Sequence, residues 1–525
     1  MINNYSEVQE GLNRARNFVV SGGKQILSGN LDERHSVSSS PGATALASLA
    51  LLTMGRGFEK AQKASVSWLL QNQREGGWGK YPGASPDEEI TQVARAVLEG
   101  SRGGLIGRLT LLSQARQFSK LILNLGEGVA PGLKGPTVEE IQLPNILEVK
   151  VLEKLPQYGR PVVVAASLLA AESEQRGIEK GVNYLWETQG EDGSWAEDIV
   201  ATSLAIMALL RHDRSSGRAE LGARWLVSRQ YSDGSWPAFD QLKNWAMGWM
   251  ASILGETKRH NEDLAFLEQV GNWLTKAQNA DGSFGSSPPY THPDLDDTAV
   301  ALLGMKVLNC RNEKSALLLK RLQNPDGSWG TFPDFTGLPP KTECRFPIYI
   351  VSNDVTIHVL EALKYGVPSS DPVLSKGLTW LFGQQKESGE ISSMWFEKPI
   401  YSTAQMLELL NKWNIRHERW GMAGRIIRAR HLAWNYIVKA QNEDGSWGNS
   451  SAETALSMAA LLRNPGKNMK ELLAKGARAL LAGQREDGSF VPAYQGIYAK
   501  GWNYEEPLAV TLTAIRAMER YLFLK

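Results

Sequence analysis

The chain has 525 residues, enough for two domains of ordinary size. Its 57 lysines and arginines against 56 aspartates and glutamates leave a net charge of +1, without the basic excess of a nucleic-acid binder. No window reaches the ~18 unbroken apolar residues of a transmembrane helix, so contact with a membrane is expected to be peripheral at most.

The opening stretch, MINNYSEVQEGLNRARNF, has no long apolar run of the secretory kind. With two cysteines, Cys310 and Cys344, and no CxxC, a cytoplasmic setting is expected. Tryptophan is the unusual residue, at 17 copies. The first clue to its use is QREGGW, which ends at Trp78. A helical pattern follows in SPDEEITQVARAVL, with Asp87, Glu88 and Glu89 at its head. Residues 126–145, GEGVAPGLKGPTVEEIQLPN, are rich in Gly and Pro and carry no repeat. Such an irregular insertion is expected near a functional mouth.

From there the repeat is regular. QGEDGSW begins at Gln189, QYSDGSW at Gln230, QNADGSF at Gln278, QNPDGSW at Gln323, QNEDGSW at Gln441 and QREDGSF at Gln484. A worn copy, QQKESGE, begins at Gln384. Spacings of 41, 48, 45 and 43 between clear adjacent copies indicate stacked supersecondary units. Each unit reads as two helices. GARWLVSRQ and AWNYIVKAQ, with apolar residues three and four apart, precede their turns, and AEDIVATSLAIMALL or SSAETALSMAALL follows. Asp-Gly-Ser supplies the turn, and the aromatic can pack beneath it. The expected fold is therefore all-α, with helical hairpins curled into α-α barrels. Most of the tryptophans read as structural.

DLDDTAVALL opens one such helix and crowds Asp294, Asp296 and Asp297 into four residues. Acids here can simply cap the helix and suit its dipole. No EF-hand spacing follows, so a calcium loop does not fit. Crowding allows a second reading: carboxylates in a poorly solvated place cannot all ionise cheaply, and one that keeps its proton is a Brønsted acid.

The repeated Q-x-x-D-G-S-W turns together with D-x-D-D-T resemble the class II terpene cyclases, a family that includes squalene–hopene cyclases and diterpene cyclases of the copalyl diphosphate synthase kind. The likeness runs from Trp68 to the end of the chain. SNDVTIHVLEAL carries His358 where the family places a hydrogen-bond partner of its catalytic acid. WFEKPIYSTAQ keeps Trp395, Pro399, Tyr401 and Thr403, but has Lys398 and Ile400 where Ser and Tyr are usual. AETAL, at 452–456, is similar to a segment of the diterpene group.

The resemblance implies two barrels, one formed by 1–20 plus 270–525 and carrying the acid motif, the other an inserted barrel over 21–269. It implies that Asp296 delivers a proton to a terminal alkene, with Asp294, Asp297 and His358 orienting it. Trp395 and Tyr401 would line the pocket. The expected substrate is a linear prenyl diphosphate, geranylgeranyl diphosphate first, cyclised to a bicyclic product that keeps its diphosphate for a downstream class I synthase or phosphatase. Asp87, Glu88 and Glu89 are the candidates for holding Mg²⁺ against that diphosphate; a solvated acidic helix start is the other reading. Farnesyl diphosphate and squalene remain alternative substrates. No D-D-x-x-D of a class I activity occurs. A protein prenyltransferase is disfavoured because no D-x-C zinc element is present. The convergence of three motifs disfavours a helical-barrel binding module.

Overall fold

The computed structural model describes residues 5–102, 147, 152, 157 and 159–524, apart from 56, 172–175, 213–216, 240–241, 258–260, 289, 311, 334–350, 369, 416–419, 467–468 and 500–501. The Gly- and Pro-rich insertion at 126–145 and Cys344 lie outside the described residues.

Helix α1 (Tyr5–Ser28) opens the chain. A first group follows: α2 (Pro41–Met54), α3 (Glu59–Gln71), α4 (Glu88–Arg102), α5 (Gly159–Ala170), α6 (Ile178–Thr188), α7 (Ile199–His212) and α8 (Gly217–Ser228). The second group begins with α9 (Lys243–Thr257), α10 (Asn261–Ala277), α11 (Leu295–Val307), α12 (Glu313–Arg321) and α13 (Asn353–Lys364). It continues with α14 (Pro372–Gln384), α15 (Ile400–Asn411), α16 (Trp420–Lys439), α17 (Ser451–Arg463) and α18 (Lys470–Ala482). A short antiparallel hairpin, β1 (Gly496–Ala499) with β2 (Trp502–Tyr504), precedes α19 (Pro507–Leu522).

The repeated turn builds this architecture from local chemistry. In QNPDGSW, Asp326 Oδ1 accepts the Ser328 N–H at 3.0 Å and its hydroxyl at 2.6 Å. Gly327 takes φ +99°, and a Cβ there would lie 2.5 Å from the Lys376 carbonyl, so glycine is required. Gln323 Nε2 donates to Gly327 O and, across to the next outer helix, to Val373 O. The Trp329 indole, fully buried, donates to Leu319 O one helix back. Trp195, Trp236 and Trp447 repeat that bond to a carbonyl ten residues upstream.

In the second group, α9, α11, α13, α15, α17 and α19 pack each on the next, and α19 returns to α9. They form a closed inner ring. The intervening helices lie outside it, and α1 completes the outer layer against α19. The Gln484 amide fastens that return by donating to Gly11 O. In the first group, α7 closes onto α2.

Two buried cores match the two groups. One spans Val37 to Phe239 with Trp502 added; the other joins Val8–Ile26 of α1 to Trp245–Tyr521. Helix α9 thus packs with the acid-bearing helix, upstream of the boundary expected at 270, because Trp245 through Leu254 bury into that core. The β1–β2 hairpin lies at the seam. Asn503 N–H donates to Lys80 O, Tyr81 stacks on Tyr494, and Phe239 meets the edge of Tyr504.

Trp329→Ala should lower stability by about 3–5 kcal/mol, because a fully buried aromatic and its indole bond are lost together. Urea unfolding of the two chains should give a clearly lower midpoint for the variant; an unchanged midpoint would show that the turn does not hold the hairpins.

Candidate active site

Helix α11 starts as the chain leaves the QNADGSF turn. Asp294 is its cap: Oδ1 accepts the Asp296 N–H at 2.8 Å and the Asp297 N–H at 3.1 Å. The Asp294 N–H donates to Phe284 O, and Thr298 Oγ1 accepts the Phe284 N–H while donating to Asp294 O. Asp297 is buried, and its Oδ1 has no hydrogen-bond partner. Asp296 lies between them and is the least buried of the three. Burial, and after it the Asp296 charge, pushes the Asp294 carboxyl up to about 8. Burial, followed by the charges of Asp294 and Asp296, holds the Asp297 carboxyl well above the usual carboxylate range.

Asp296 Oδ1 lies 2.5 Å from His358 Nδ1. Burial opposes charge on this imidazole, but Asp296, then Asp354 and Glu361, outweigh it and raise its pKa. A protonated ring offers both its N–H groups as donors. Nε2 is 3.4 Å from the Tyr401 hydroxyl, and the Trp249 ring meets the imidazole edge-on at 5.5 Å between centroids. Burial, with the charges of Asp296 and Asp354, keeps the Tyr401 phenol neutral by raising its pKa well above the ordinary value.

Asp354, in the same motif as His358, is a brace. Its Oδ2 accepts the N–H groups of Met394 and Trp395 at 2.8 and 3.0 Å, and its Oδ1 accepts the Ser402 hydroxyl. The segment carrying Trp395, Phe396 and Tyr401 is thereby fixed to α13. Trp395 donates its indole N–H to Thr331 Oγ1 at 2.8 Å, and the Thr331 carbonyl accepts the Leu295 N–H at the head of α11.

A cavity opens beside this assembly. Trp245 and Trp249 of α9, Phe396, Tyr401, Leu456 and Tyr504 supply its apolar wall. Phe396 stacks on Tyr401 with centroids 3.4 Å apart, and Trp245 meets Trp249 edge-on at 5.9 Å. Of the two aromatic residues expected to line the pocket, Tyr401 is on this wall; Trp395 stands beside it, bonded to Thr331. Trp245 and Trp249 were not singled out by sequence reasoning. Their spacing of four on an apolar helix was the available signal.

The acidic cluster at α4 is used differently. Asp87 Oδ1 accepts the N–H groups of Glu89 and Ile90 at 3.0 and 3.1 Å, which makes it the cap of α4. Glu88 is exposed. Among the described residues, no three His, Cys, Asp or Glu side chains stand together in an arrangement that would hold a metal ion. Asp87, Glu88 and Glu89 therefore do not fit a Mg²⁺ site on their own.

The buried acids dictate an inverted pH dependence. The Asp297 carboxyl is neutral in the fold and ionises at its ordinary value when unfolded, so the native state holds the extra proton. Its contribution is greatest in acid and is lost as pH rises above the ordinary carboxylate value of about 4. Asp297→Asn should consequently gain thermal stability relative to the parent chain as pH goes from 5 to 8. Parallel melting curves over that range would contradict the assignment.

Comparison with known proteins agrees with this geometry. The family model of the squalene-hopene cyclase C-terminal domain matches residues 289–503, which span the acid motif, His358 and Tyr401. A copalyl diphosphate synthase of Streptomyces cyslabdanicus is 26% identical over 250 residues, covering 46% of this chain and 41% of that protein. The chain thus matches less than half the length of that relative. A squalene–hopene cyclase of Alicyclobacillus acidocaldarius is 24% identical over 544 residues, covering 82% of this chain and 84% of the other. The solved structure of ent-copalyl diphosphate synthase from Streptomyces platensis shares the fold, with a TM-score of 0.59 at 17% identity over 98% of this chain and 99% of that one. Family model, relatives and fold together support a likeness of this chain to the class II terpene cyclases.

Proposed function

We propose that the chain cyclises a linear prenyl diphosphate by protonating its terminal double bond, with geranylgeranyl diphosphate the first candidate, and that the bicyclic product keeps its diphosphate. The observation that carries this reading is the Asp296–His358 contact of 2.5 Å, with His358 packed against Trp249 and Tyr401 of the cavity wall. An alkene is a very weak base, so its protonation needs an oriented acid away from bulk water. Asp296 transfers its carboxyl proton to the less substituted carbon of the terminal double bond, and the alkene's electron pair forms the new C–H bond. The tertiary cation that results is attacked by the next double bond, and ring closure moves the charge along the chain.

His358 acts through Asp296: a donor on one carboxyl oxygen stabilises the anion left behind. Asp294 sets the backbone from which Asp296 projects, and neutral Asp297 adds no second negative charge beneath it. Aromatic faces of Trp249, Phe396 and Tyr401 can each stabilise a passing cation by about 0.5–2 kcal/mol. The copalyl diphosphate synthase among the relatives favours a diphosphate substrate over a hydrocarbon. Because the C–O bond to the diphosphate is not broken, the product would suit a class I synthase or a phosphatase as its next enzyme. Mg²⁺ is given no step here, since Asp87, Glu88 and Glu89 do not form a fitted site.

Asp296→Asn should keep the circular dichroism spectrum and lose cyclisation by at least about 100-fold, since an amide cannot protonate an alkene. The assay is product analysis by mass spectrometry after phosphatase treatment, with geranylgeranyl diphosphate, farnesyl diphosphate and squalene compared. Turnover at the parental rate would remove Asp296 from the role. His358→Ala should lower kcat with little change in KM, because its partner is the acid rather than the substrate. A raised KM at constant kcat would instead make it a substrate contact.

A further inference from the structure

We propose that Glu453 is the base that ends the reaction, taking a proton from the cyclised cation on the side of the barrel opposite Asp296. The inference rests on the cyclisation proposed above. It starts from the ring. Counting from α11, helix α17 is the third member in either direction, so the two face each other across the lumen. Neighbouring helix axes lie 8–10 Å apart, which puts opposite members of a six-helix ring about 16–20 Å apart. Asp296 is the second residue of α11 and Glu453 the third of α17, and both helices start from equivalent turns. Donor and acceptor therefore stand near the same end of the ring.

The state of the Glu453 carboxyl sets it apart. The residue is 2% exposed and lines the same cavity as Tyr401 and Trp249. Its Oε2 is 3.4 Å from Lys398 Nζ, while its Oε1 is buried with no hydrogen-bond partner. Two other carboxylates on the wall are committed to backbone. Glu505 Oε2 accepts the N–H groups of Ala493 and Tyr494, and Glu506 Oε2 accepts the Ala509 N–H. Gly448 leaves space for the Glu453 head, because a Cβ there would overlap the carboxylate. Lys398 is the residue that departs from the family pattern beside Pro399. It is held by the Gly448 carbonyl at 2.9 Å, and burial raises the Glu453 pKa while the Lys398 charge pulls it back down, leaving a carboxylate that accepts a proton readily.

The step balances. A C–H bond next to the cationic carbon breaks, its electron pair becomes the product double bond, and the proton binds Glu453 Oε1. One proton enters from Asp296 and one leaves to Glu453, so substrate and product are isomers.

The test uses the full chain with geranylgeranyl diphosphate in D₂O, read by mass spectrometry and NMR of the dephosphorylated products. The parent chain should place one deuterium in the ring system and form one predominant alkene. Glu453→Gln should still take up deuterium at that position, form the parental alkene about 100-fold more slowly, and divert the cation to other alkenes or to an alcohol by water capture. Lys398→Met should shift the product ratio in the same direction. Parental product proportions in Glu453→Gln, at full or reduced rate, would overturn the proposal and leave the residue a structural role. Should that variant fail to fold, Glu453→Asp and Lys398→Met carry the test, and unchanged product ratios in both would overturn it equally. If the parent chain itself takes up no deuterium with any of the three substrates, the cyclisation reading fails first, an outcome distinct from any variant result.

Discussion

A threonine hydroxyl fixes the height of the candidate site. In seven places among the described residues, the backbone N–H of the residue ending a repeat turn donates to a threonine Oγ1 near the start of an inner helix, at 2.9–3.0 Å: Trp78 to Thr91, Trp195 to Thr202, Trp236 to Thr44, Phe284 to Thr298, Trp329 to Thr356, Ile391 to Thr403 and Trp447 to Thr454. Four of these threonines belong to the segments that also bear site residues: DLDDT, NDVT, IYST and AET. Each bond sets the start of one inner helix against a repeat turn packed beside it. Asp296, His358, Tyr401 and Glu453 are then presented at one end of the ring. Slipping any helix by one residue would turn its side chain away by about 100°.

The opposite end of the ring is closed by charge. Lys412, 2% exposed along its side chain, contacts Glu361, Glu408 and Glu256 from three different helices, and Arg520 grips Glu408 with two bonds of 2.8 Å. Burying such ions is costly unless each has partners, and breaking one pair strands the others. The network therefore ties α9, α13, α15 and α19 at their C-terminal ends, where helix dipoles leave partial negative charge for Lys412 and Arg520 to meet. A ring tied at its base can keep a cavity at its mouth without collapsing into it.

Much of this was legible because it is periodic. The Gln-to-aromatic turns recur at a near-constant spacing, and each turn chemistry is local, so helical hairpins followed from sequence alone. Even the worn QQKESGE copy forms the turn: Gln385 donates to Gly389 O, and Ile391 takes the place of the aromatic. Asp294 and His358 were legible from motif, though spacing could not say that Asp294 would spend an oxygen on two backbone N–H groups. Trp245 and Trp249 escaped because nothing local marks an apolar helix as facing a lumen rather than a core. The core limit near 243 escaped for the same reason: α9 and α10 share composition with helices of either barrel, and only packing assigns them. Lys398 looked like a defect in a motif until Glu453, 55 residues later, came to lie against it.

One rule separates the acids of this protein by what they can do. Asp294 and Asp87 stand at N-cap positions, where the carboxylate is consumed by backbone donors. Asp296 and Glu453 stand two and three residues past the cap, at positions whose own N–H is already satisfied, by Asp294 Oδ1 and by Ser450 Oγ respectively. A cap residue therefore does two things in these helices. It stabilises the helix, and it releases the next acid from that duty, so that a carboxyl can be held close to the helix start without being tied to it. Asp87 shows the same division of labour, its Oδ1 accepting the Glu89 N–H, but α4 belongs to the first group of helices and none of its residues lines the cavity beside Tyr401. Crowded acids at the head of a helix thus meet a buried histidine in α11 and stand without one in α4, according to what the first turn faces.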